Sequence, residues 1–469
     1  MGNWEDTVMA AAPGAFDRRD GSLYVEDCSV SSLAEQYGTP LYVISEAALR
    51  NRAREFQSAF GGAWTHGAVT ILPAIKANYI VALHRILAQE GCGADLFGAG
   101  ELEVAVRAGT DPSRISLNGT AKDLPTIRRA IQLGARVTLD SVHEIELARQ
   151  AAQELGKQAE VRVRVRPLVT LETGSEPYGG MPMRQAFGNY KPGIPWDDLD
   201  AAGAALKAPE LDLSGVMMHF GRHTTDLDEI GHVIDRYVEL IAELQRRWDG
   251  WTPRTIDVGG GISHHADPHS RSGRDAGPAR RIPSVQEYAD AICSHLTAGL
   301  EKVGIDPAGR KLEVEPGRSL FGPVGIHLSR VLHSKRQTVP FPHAWMELDS
   351  SQTYLPDIAI EHHRYPIELA EPLAQAGPHE EWDVVGVACA SDVLAHGESL
   401  PPLEPGTLVV FGLTGAYQDA GATNFNVLPR AATVLVNGSE THVIKRAETI
   451  DEVLSRDVVP AHLQAGASS

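Results

Sequence analysis

Lys76 stands in "LPAIKANY" (72–79), in the middle of the apolar run "AVTILPAIKANYIVAL". A charged side chain is seldom buried in such a run unless it is paired or chemically modified. The lysine is therefore either a structural cation facing a buried carboxylate or a desolvated amine able to form a Schiff base. Other residues would complete a site of the second kind. Gly259, Gly260 and Gly261 in "TIDVGGG" either make a plain turn or let backbone N–H groups reach a phosphate without Cβ interference. Arg318, after Gly317 in "EPGRSL", either forms a surface ion pair or adds charge-assisted hydrogen bonds to that phosphate. Glu315 is either a satisfied strand-end residue or the partner of a protonated ring nitrogen, which would make a pyridinium an electron sink. His219 in "MMHFG" is either packed in the core or stacked on a flat ring.

Each of these signals is weak alone; their shared position is what counts. Eight short apolar runs recur, each followed by a polar or glycine-bearing turn: "VTILPAI" (69–75), "ADLF" (94–97), "ISLNG" (115–119), "RVTLD" (136–140), "VRVRV" (161–165), "GVMMHF" (215–220), "TIDVGGG" (255–261) and "KLEVEPG" (311–317). Amphipathic segments such as "GELEVAVRAG" (100–109) and "LPTIRRAIQLG" (124–134) lie between them. Eight strand-then-helix units predict a closed parallel (β/α)8 barrel of the TIM type, an α/β architecture. Active sites of such barrels form at the C-terminal strand ends. Those ends carry Lys76 and Asn78 on strand one, Asp95 and Glu101 after strand two, and Arg164 and Arg166 on strand five. His219 ends strand six, the glycine triplet strand seven, and Glu315, Gly317 and Arg318 strand eight.

Beyond about residue 320 strand-like runs follow one another directly: "AWMELD", "DVVGVACA", "TLVVFGL", "ATVLVNG" and "THVIKRAE". They predict an antiparallel, all-β C-terminal domain. The expected division is 1–45, whose strands "GSLYVED" and "TPLYVIS" join the C-terminal sheet, 46–320 for the barrel, and 321–469 for the β domain. The Gly-, Pro- and Ser-rich stretch 263–284 reads as a long loop.

The chain has 469 residues and a formal charge of -19, from 42 lysines and arginines against 61 acids. That balance disfavours a general nucleic-acid or anionic-membrane binder. No apolar run approaches the roughly 18 residues of a membrane span, and "MGNWEDTVMAAAPG" lacks the pattern of a signal peptide. Cys28, Cys92, Cys293 and Cys389 fit neither a disulfide framework nor a metal motif, so a reducing cytoplasm is expected.

"LPAIKANY", "GADLFGAGELEVAVRAG", "MMHFG", "IDVGGGI", "EPGRSL" and "GAYQDAGATNFN", in this order, resemble the fold-type III pyridoxal-phosphate (PLP) decarboxylases that act on diaminopimelate, ornithine and arginine. The resemblance spans about residues 30 to 445 and implies a barrel of the alanine-racemase type that binds pyridoxal 5'-phosphate. It implies that Lys76 holds the cofactor, Glu315 contacts its ring nitrogen, His219 stacks on the ring and Asp95 lies nearby. Gly259, Gly260, Gly261, Gly317, Arg318 and Tyr417 would hold the phosphate. The resemblance also implies a homodimer with shared active sites, in which Cys389 of one subunit faces Lys76 of the other and reprotonates Cα. The bland alternative for Cys389 is a small buried hydrophobe. An acidic partner for the ring nitrogen favours decarboxylation over the racemase or epimerase chemistry of related barrels. A third option, a non-catalytic regulatory homologue, would be expected to lack the lysine.

The chain departs from the pattern around the substrate. The expected Cys-Glu-Ser-Gly-Asp reads Cys389-Ala390-Ser391-Asp392, so the acid beside the cysteine is lost. The Arg-Pro pair expected to bind a distal carboxylate reads Leu355-Pro356. The serine expected after His-Phe-Gly is Arg222, followed by His223. These changes predict a specialised amino-acid substrate, with a neutral, anionic or conjugated far end, rather than meso-diaminopimelate. Arg222, His223, Ala390 and Asp392 are the substrate candidates. Arg184 and Lys191 are further candidates or plain solvated charges, and Asp357 is a potential compensating acid.

Overall fold

The computed structural model describes residues 4–166, 191–221, 225–264, 281–361, 363–373, 377–389 and 391–463. The N-terminal strands Phe16–Arg19 (β1), Ser22–Val25 (β2) and Cys28–Ser29 (β3) form a small antiparallel sheet of their own. The strand Leu41–Ser45 (β4) follows, and then the barrel begins.

Its strands are Val69–Ile71 (β5), Ala94–Leu96 (β6), Ile115–Leu117 (β7), Arg136–Leu139 (β8), Ala159–Arg164 (β9), Leu211–Met217 (β10), Thr255–Asp257 (β11) and Lys311–Val314 (β12). Each falls on or overlaps one of the eight predicted runs. All pair in parallel, in the order β5-β12-β11-β10-β9-β8-β7-β6. The seam between β5 and β6 is closed by a parallel bridge of Ala74 to Asp95, with Asp95 N–H bonded to Pro73 O at 3.1 Å.

Amphipathic helices wrap the barrel because their apolar residues recur every three or four positions. In the helix Leu227–Arg247, Ile230, Val233, Ile234, Tyr237, Val238, Ile241 and Leu244 are all buried. The helix starts carry the expected side-chain caps: Asp123, Ser141, Asp226 and Ser284 each accept a first-turn N–H. Gly109, Gly134 and Gly156 end three helices in the left-handed conformation.

The C-terminal strands are Gly325–Gln337 (β13), His343–Leu348 (β14), Ile367–Leu369 (β15), Glu380–Val385 (β16), Val393–Leu400 (β17), Leu408–Phe411 (β18), Ala432–Asn437 (β19) and Glu440–Lys445 (β20). Two expectations need correction. β4, from "TPLYVIS", does join this sheet, between β13 and β19, but β2, from "GSLYVED", belongs to the separate small sheet. The domain is mostly rather than wholly antiparallel, since β14 pairs with β16 and β19 with β4 in parallel. A strand arriving from the N-terminus supplies the second of these pairings without a crossover inside the domain. Among the described residues no helix is long and apolar enough to cross a membrane.

Where loops enter the barrel mouth, backbones approach closely. A Cβ placed on Gly119, just after β7, would overlap the Phe97 carbonyl. Gly119→Ala should therefore destabilise the fold by about 1–3 kcal/mol or more, read as a lower thermal midpoint. An unchanged midpoint would show that the 97–119 approach is slack.

Candidate active site

Lys76 lies on a single 3-10 turn, Ile75–Ala77, directly after β5. The turn carries its side chain out of the apolar strand into a cavity of about 430 Å³ at the C-terminal mouth of the barrel. There the side chain is 42% exposed, so it is not a core lysine. Its Nζ is 3.2 Å from Asp95 Oδ2, and Asp95 is buried. Burial disfavours the ammonium, but the charges of Asp95, Tyr417 and Glu315 outweigh it and raise the amine above its ordinary value.

Asp95 and Glu315 are joined by Asn118, which no motif had marked as functional. Asn118 Nδ2 donates to Asp95 Oδ1 at 2.8 Å and also to Glu315 Oε1. Its Oδ1 accepts from Thr138 Oγ1 at 2.5 Å and from Ser116 Oγ at 2.7 Å. Burial, followed by the charges of Asp257 and Asp95, pushes the Glu315 carboxyl well above the glutamate range, against the pull of Lys76. Glu315 thus binds a proton more tightly than an ordinary glutamate.

The cavity wall also includes His219, Gly261, Gly317, Arg318 and Tyr417. His219 Nδ1 accepts from Gly221 N–H at 3.2 Å, which fixes the ring direction. The glycine triplet is sterically required. A Cβ on Gly259 would fall 2.5 Å from Met218 O, one on Gly260 would overlap Glu315 O, and one on Gly261 would overlap Gly221 O. Tyr417 sits at φ 64°, in the left-handed region, and its N–H bonds to Ala77 O at 2.6 Å. A non-glycine residue held there is strained, and such strain clusters at functional sites. The Arg318 guanidinium lies 4.4 Å above the Tyr417 ring. It also donates to Asp357 Oδ2, an oxygen that takes the Gln418 amide at 3.1 Å as well.

These residues suit the cofactor implied by the sequence. An amine faces the cavity, a buried protonated acid lies beside it, and a glycine-lined corner holds an arginine and a tyrosine. Asp95, His219, Glu315, Gly261, Gly317, Arg318 and Tyr417 share the Lys76 cavity, while Gly259 and Gly260 lie in the strand-seven turn that shapes it.

Other candidates lie elsewhere. Cys389 is exposed on the loop between β16 and β17, outside the cavity lining. Its N–H donates to Asn426 Oδ1 at 2.8 Å, and Asn426 Nδ2 lies 3.4 Å from its Sγ. Asp392 is buried and faces its own loop, accepting from Gln352 N–H at 2.7 Å and Ala388 N–H at 2.8 Å. It does not line the cavity. Lys191 lines a separate cavity with Lys122 and Asp140. Glu101, in the first turn of its helix, accepts from Phe97 N–H at 2.6 Å. Arg222, His223, Ala390 and Arg184 lie outside the described residues.

The Lys76 turn rests on His84, whose Nε2–H donates to Asn78 O at 2.7 Å. Burial brings this imidazole from 6.5 to about 4. The unfolded chain therefore takes up a proton that the folded one refuses. The stability His84 contributes above 6.5 should decline as the pH falls toward about 4. Urea unfolding across that window should show less loss in a His84→Gln variant than in the parent; equal losses would exclude His84 as the source.

Residues 46–322 match the family model for the pyridoxal-dependent decarboxylase, pyridoxal binding domain. The chain is 31% identical over 442 residues to diaminopimelate decarboxylase of Zymomonas mobilis, covering 94% of this chain and 97% of that one. It is 30% identical over 450 residues to the Archaeoglobus fulgidus diaminopimelate decarboxylase, covering 96% and 100%. The crystal structure of diaminopimelate decarboxylase from Methanocaldococcus jannaschii superposes with a TM-score of 0.86 at 26% identity, over 97% of this chain and 100% of that one. The chain belongs to the pyridoxal-dependent decarboxylases, and is a PLP-dependent enzyme acting on an amino acid.

Proposed function

We propose that the chain decarboxylates an amino acid whose far end is not a free carboxylate, and that meso-diaminopimelate is not its preferred substrate. The observation that carries this is at the cavity wall, where Arg318, the cation assigned to the phosphate, is also ion-paired to Asp357 and so is not left for a substrate carboxylate. The protein's own carboxylate already occupies that guanidinium. Leu355, where the resemblance calls for an arginine, is fully buried and offers no charge. Asp357 and Glu361 both line the cavity and make this end acceptor-rich. Of the far ends considered from the sequence, a neutral or hydrogen-bond-donating group suits it better than an anionic one.

Bound at Lys76, pyridoxal phosphate supplies the sink for the electron pair released when the Cα–carboxylate bond breaks. Asp95 Oδ2, 3.2 Å from Lys76 Nζ, holds the lysine side chain at the cavity. Glu315 keeps an acid at the ring nitrogen, which favours loss of CO2 over racemisation. Arg318 and Tyr417 hold the phosphate end, with Arg318 oriented by Asp357. Cys389 lies outside the cavity of its own chain, and we assign its thiol to the active site of a second copy, as donor of the proton to Cα. On this reading the working unit is a homodimer in the cytoplasm, with 46–320 carrying the cofactor and 321–469 completing the pocket.

Release of CO2 across a panel of L- and D-amino acids tests the substrate. Highest activity on meso-diaminopimelate would overturn the reading. Asp357→Ala frees a charge-assisted donor, so the ratio of kcat/KM for carboxylate-ended over neutral substrates should rise about tenfold or more. Cys389→Ala should slow turnover by about 100-fold or more, with KM changed less. An unchanged rate and product stereochemistry would remove Cys389 from the mechanism.

A further inference from the structure

The barrel interior beneath the cofactor site is charged where such barrels usually carry branched apolar side chains. Arg162 projects into it from β9 and is fully buried. Its Nη1 donates to Asp257 Oδ2 at 2.8 Å and to Glu313, and its Nη2 donates to Ser116 Oγ. Arg136 adds a second cation, 2.6 Å from Glu313. The other Asp257 oxygen, Oδ1, accepts from Gly259 N–H at 2.8 Å, at the start of the glycine turn. Arg162 Nη2 also donates to Asn118 Oδ1 at 3.3 Å, and Asn118 Nδ2 donates to Glu315 Oε1, while the Asp257 charge acts on Glu315 and favours its proton. Arg162 is thus two contacts from the acid assigned to the ring nitrogen.

The charges facing Glu315 can be counted from every side. Asp95, Asp257 and Glu313 are acids, and Lys76, Arg162 and Arg136 are cations. Arg164, two residues along β9, lines the same cavity as Glu315, as do His219 and Arg318; Arg164 also acts on Asp140 and Lys122. The Tyr237 hydroxyl faces Asp257 through its backbone, donating to Asp257 O at 3.1 Å. Within the ion-paired network itself, Glu315 included, four acids meet three cations, which leaves a place for one proton or one further positive charge.

We propose that Arg162, acting through Asp257, is a positioning residue that sets the charge on Glu315. Arg162 neutralises the Asp257 carboxylate. Glu315 can then pass its proton to the pyridine nitrogen without leaving two uncompensated carboxylates side by side. One proton moves from a Glu315 oxygen to the ring nitrogen. Glu315 becomes a carboxylate, the ring becomes a pyridinium that supplies the fourth cation, and nothing is oxidised or reduced. This rests on the assignment of Glu315 to the ring nitrogen made above.

The test uses the full-length holoenzyme reconstituted with PLP carrying 15N at the ring, read by 15N NMR across a pH series. The parent should show a pyridinium shift. In Arg162→Met the shift at a fixed pH should move toward neutral pyridine, because the proton stays on Glu315 beside an uncompensated Asp257. Arg162→Lys, which keeps the charge, should restore most of the parent signal. Because Arg162→Met strips two buried acids of their partner and can prevent folding, Asp257→Asn provides a second reading. It removes the charge that favours the proton on Glu315, so at a fixed pH within the plateau of the pH series the shift should move further toward pyridinium. A parent-like shift in either folded variant overturns the proposal. Glu315→Gln separates the two layers of argument. If it leaves the pyridinium shift intact, the assignment of Glu315 itself fails. If it abolishes the shift while Arg162→Met and Asp257→Asn do not change it, only the inference about Arg162 fails.

Discussion

Asn118 donates one amide hydrogen to Asp95 and the other to Glu315, and the arrangement of the active site hangs on that pair of bonds. Two carboxyls so close would repel if both were charged. The amide separates them, and their environments then diverge. Asp95 faces the Lys76 amine, while Glu315 is pushed to hold a proton. One barrel mouth therefore offers a hydrogen-bond acceptor beside the amine and a second carboxyl that favours its proton. Two carboxyl groups in different surroundings can take opposite roles in this way. The oxygen of the same amide is held by Ser116 and Thr138, so Asn118 cannot rotate without breaking bonds on three strands.

The C-terminal sheet is the second constraint. β4 and β13, from opposite ends of the chain, pair at its centre and fix its position against the barrel. From there the segment 413–418 reaches back to the Lys76 turn. Asn78 Nδ2 donates to Gly415 O at 2.9 Å, and Tyr417 N–H bonds to Ala77 O. The residues flanking the nucleophile are thus pinned by the domain that also carries Asp357. The strain at Tyr417 is maintained by this over-determined junction rather than by local sequence preference.

The barrel was legible because its strands follow local patterns of apolar runs and turns, and all eight lie on or overlap the predicted runs. Lys76, His219, the glycines and Glu315 were legible because barrel geometry gathers strand ends. Three strands of the C-terminal domain were missed for physical reasons. β13 ends in the exposed "HSKRQ", β15 has only three residues, and β17 contains Gly397 at φ 60°. The polar network was missed because its partners are remote in sequence. Asn118 and Glu315 are 197 residues apart, and Arg162 and Asp257 are 95 apart. The alternation of arginine and valine in "VRVRV" was the one available hint, since every second residue of a barrel strand points inward.

The architecture separates chemistry from recognition. Lys76, Asp95, Asn118 and Glu315 stand on barrel strand ends, backed by a buried charge layer that tolerates little change, because breaking one partner strands another. Leu355, Asp357 and Glu361 stand on a short C-terminal segment whose tie to the barrel site is the Arg318–Asp357 contact. A substitution there alters what Arg318 can bind while leaving the amine and its acids in place. Asp357 there holds Arg318 with a carboxylate of the protein's own. This accounts for a chain that keeps the cofactor motifs of its family while departing from it at the pocket.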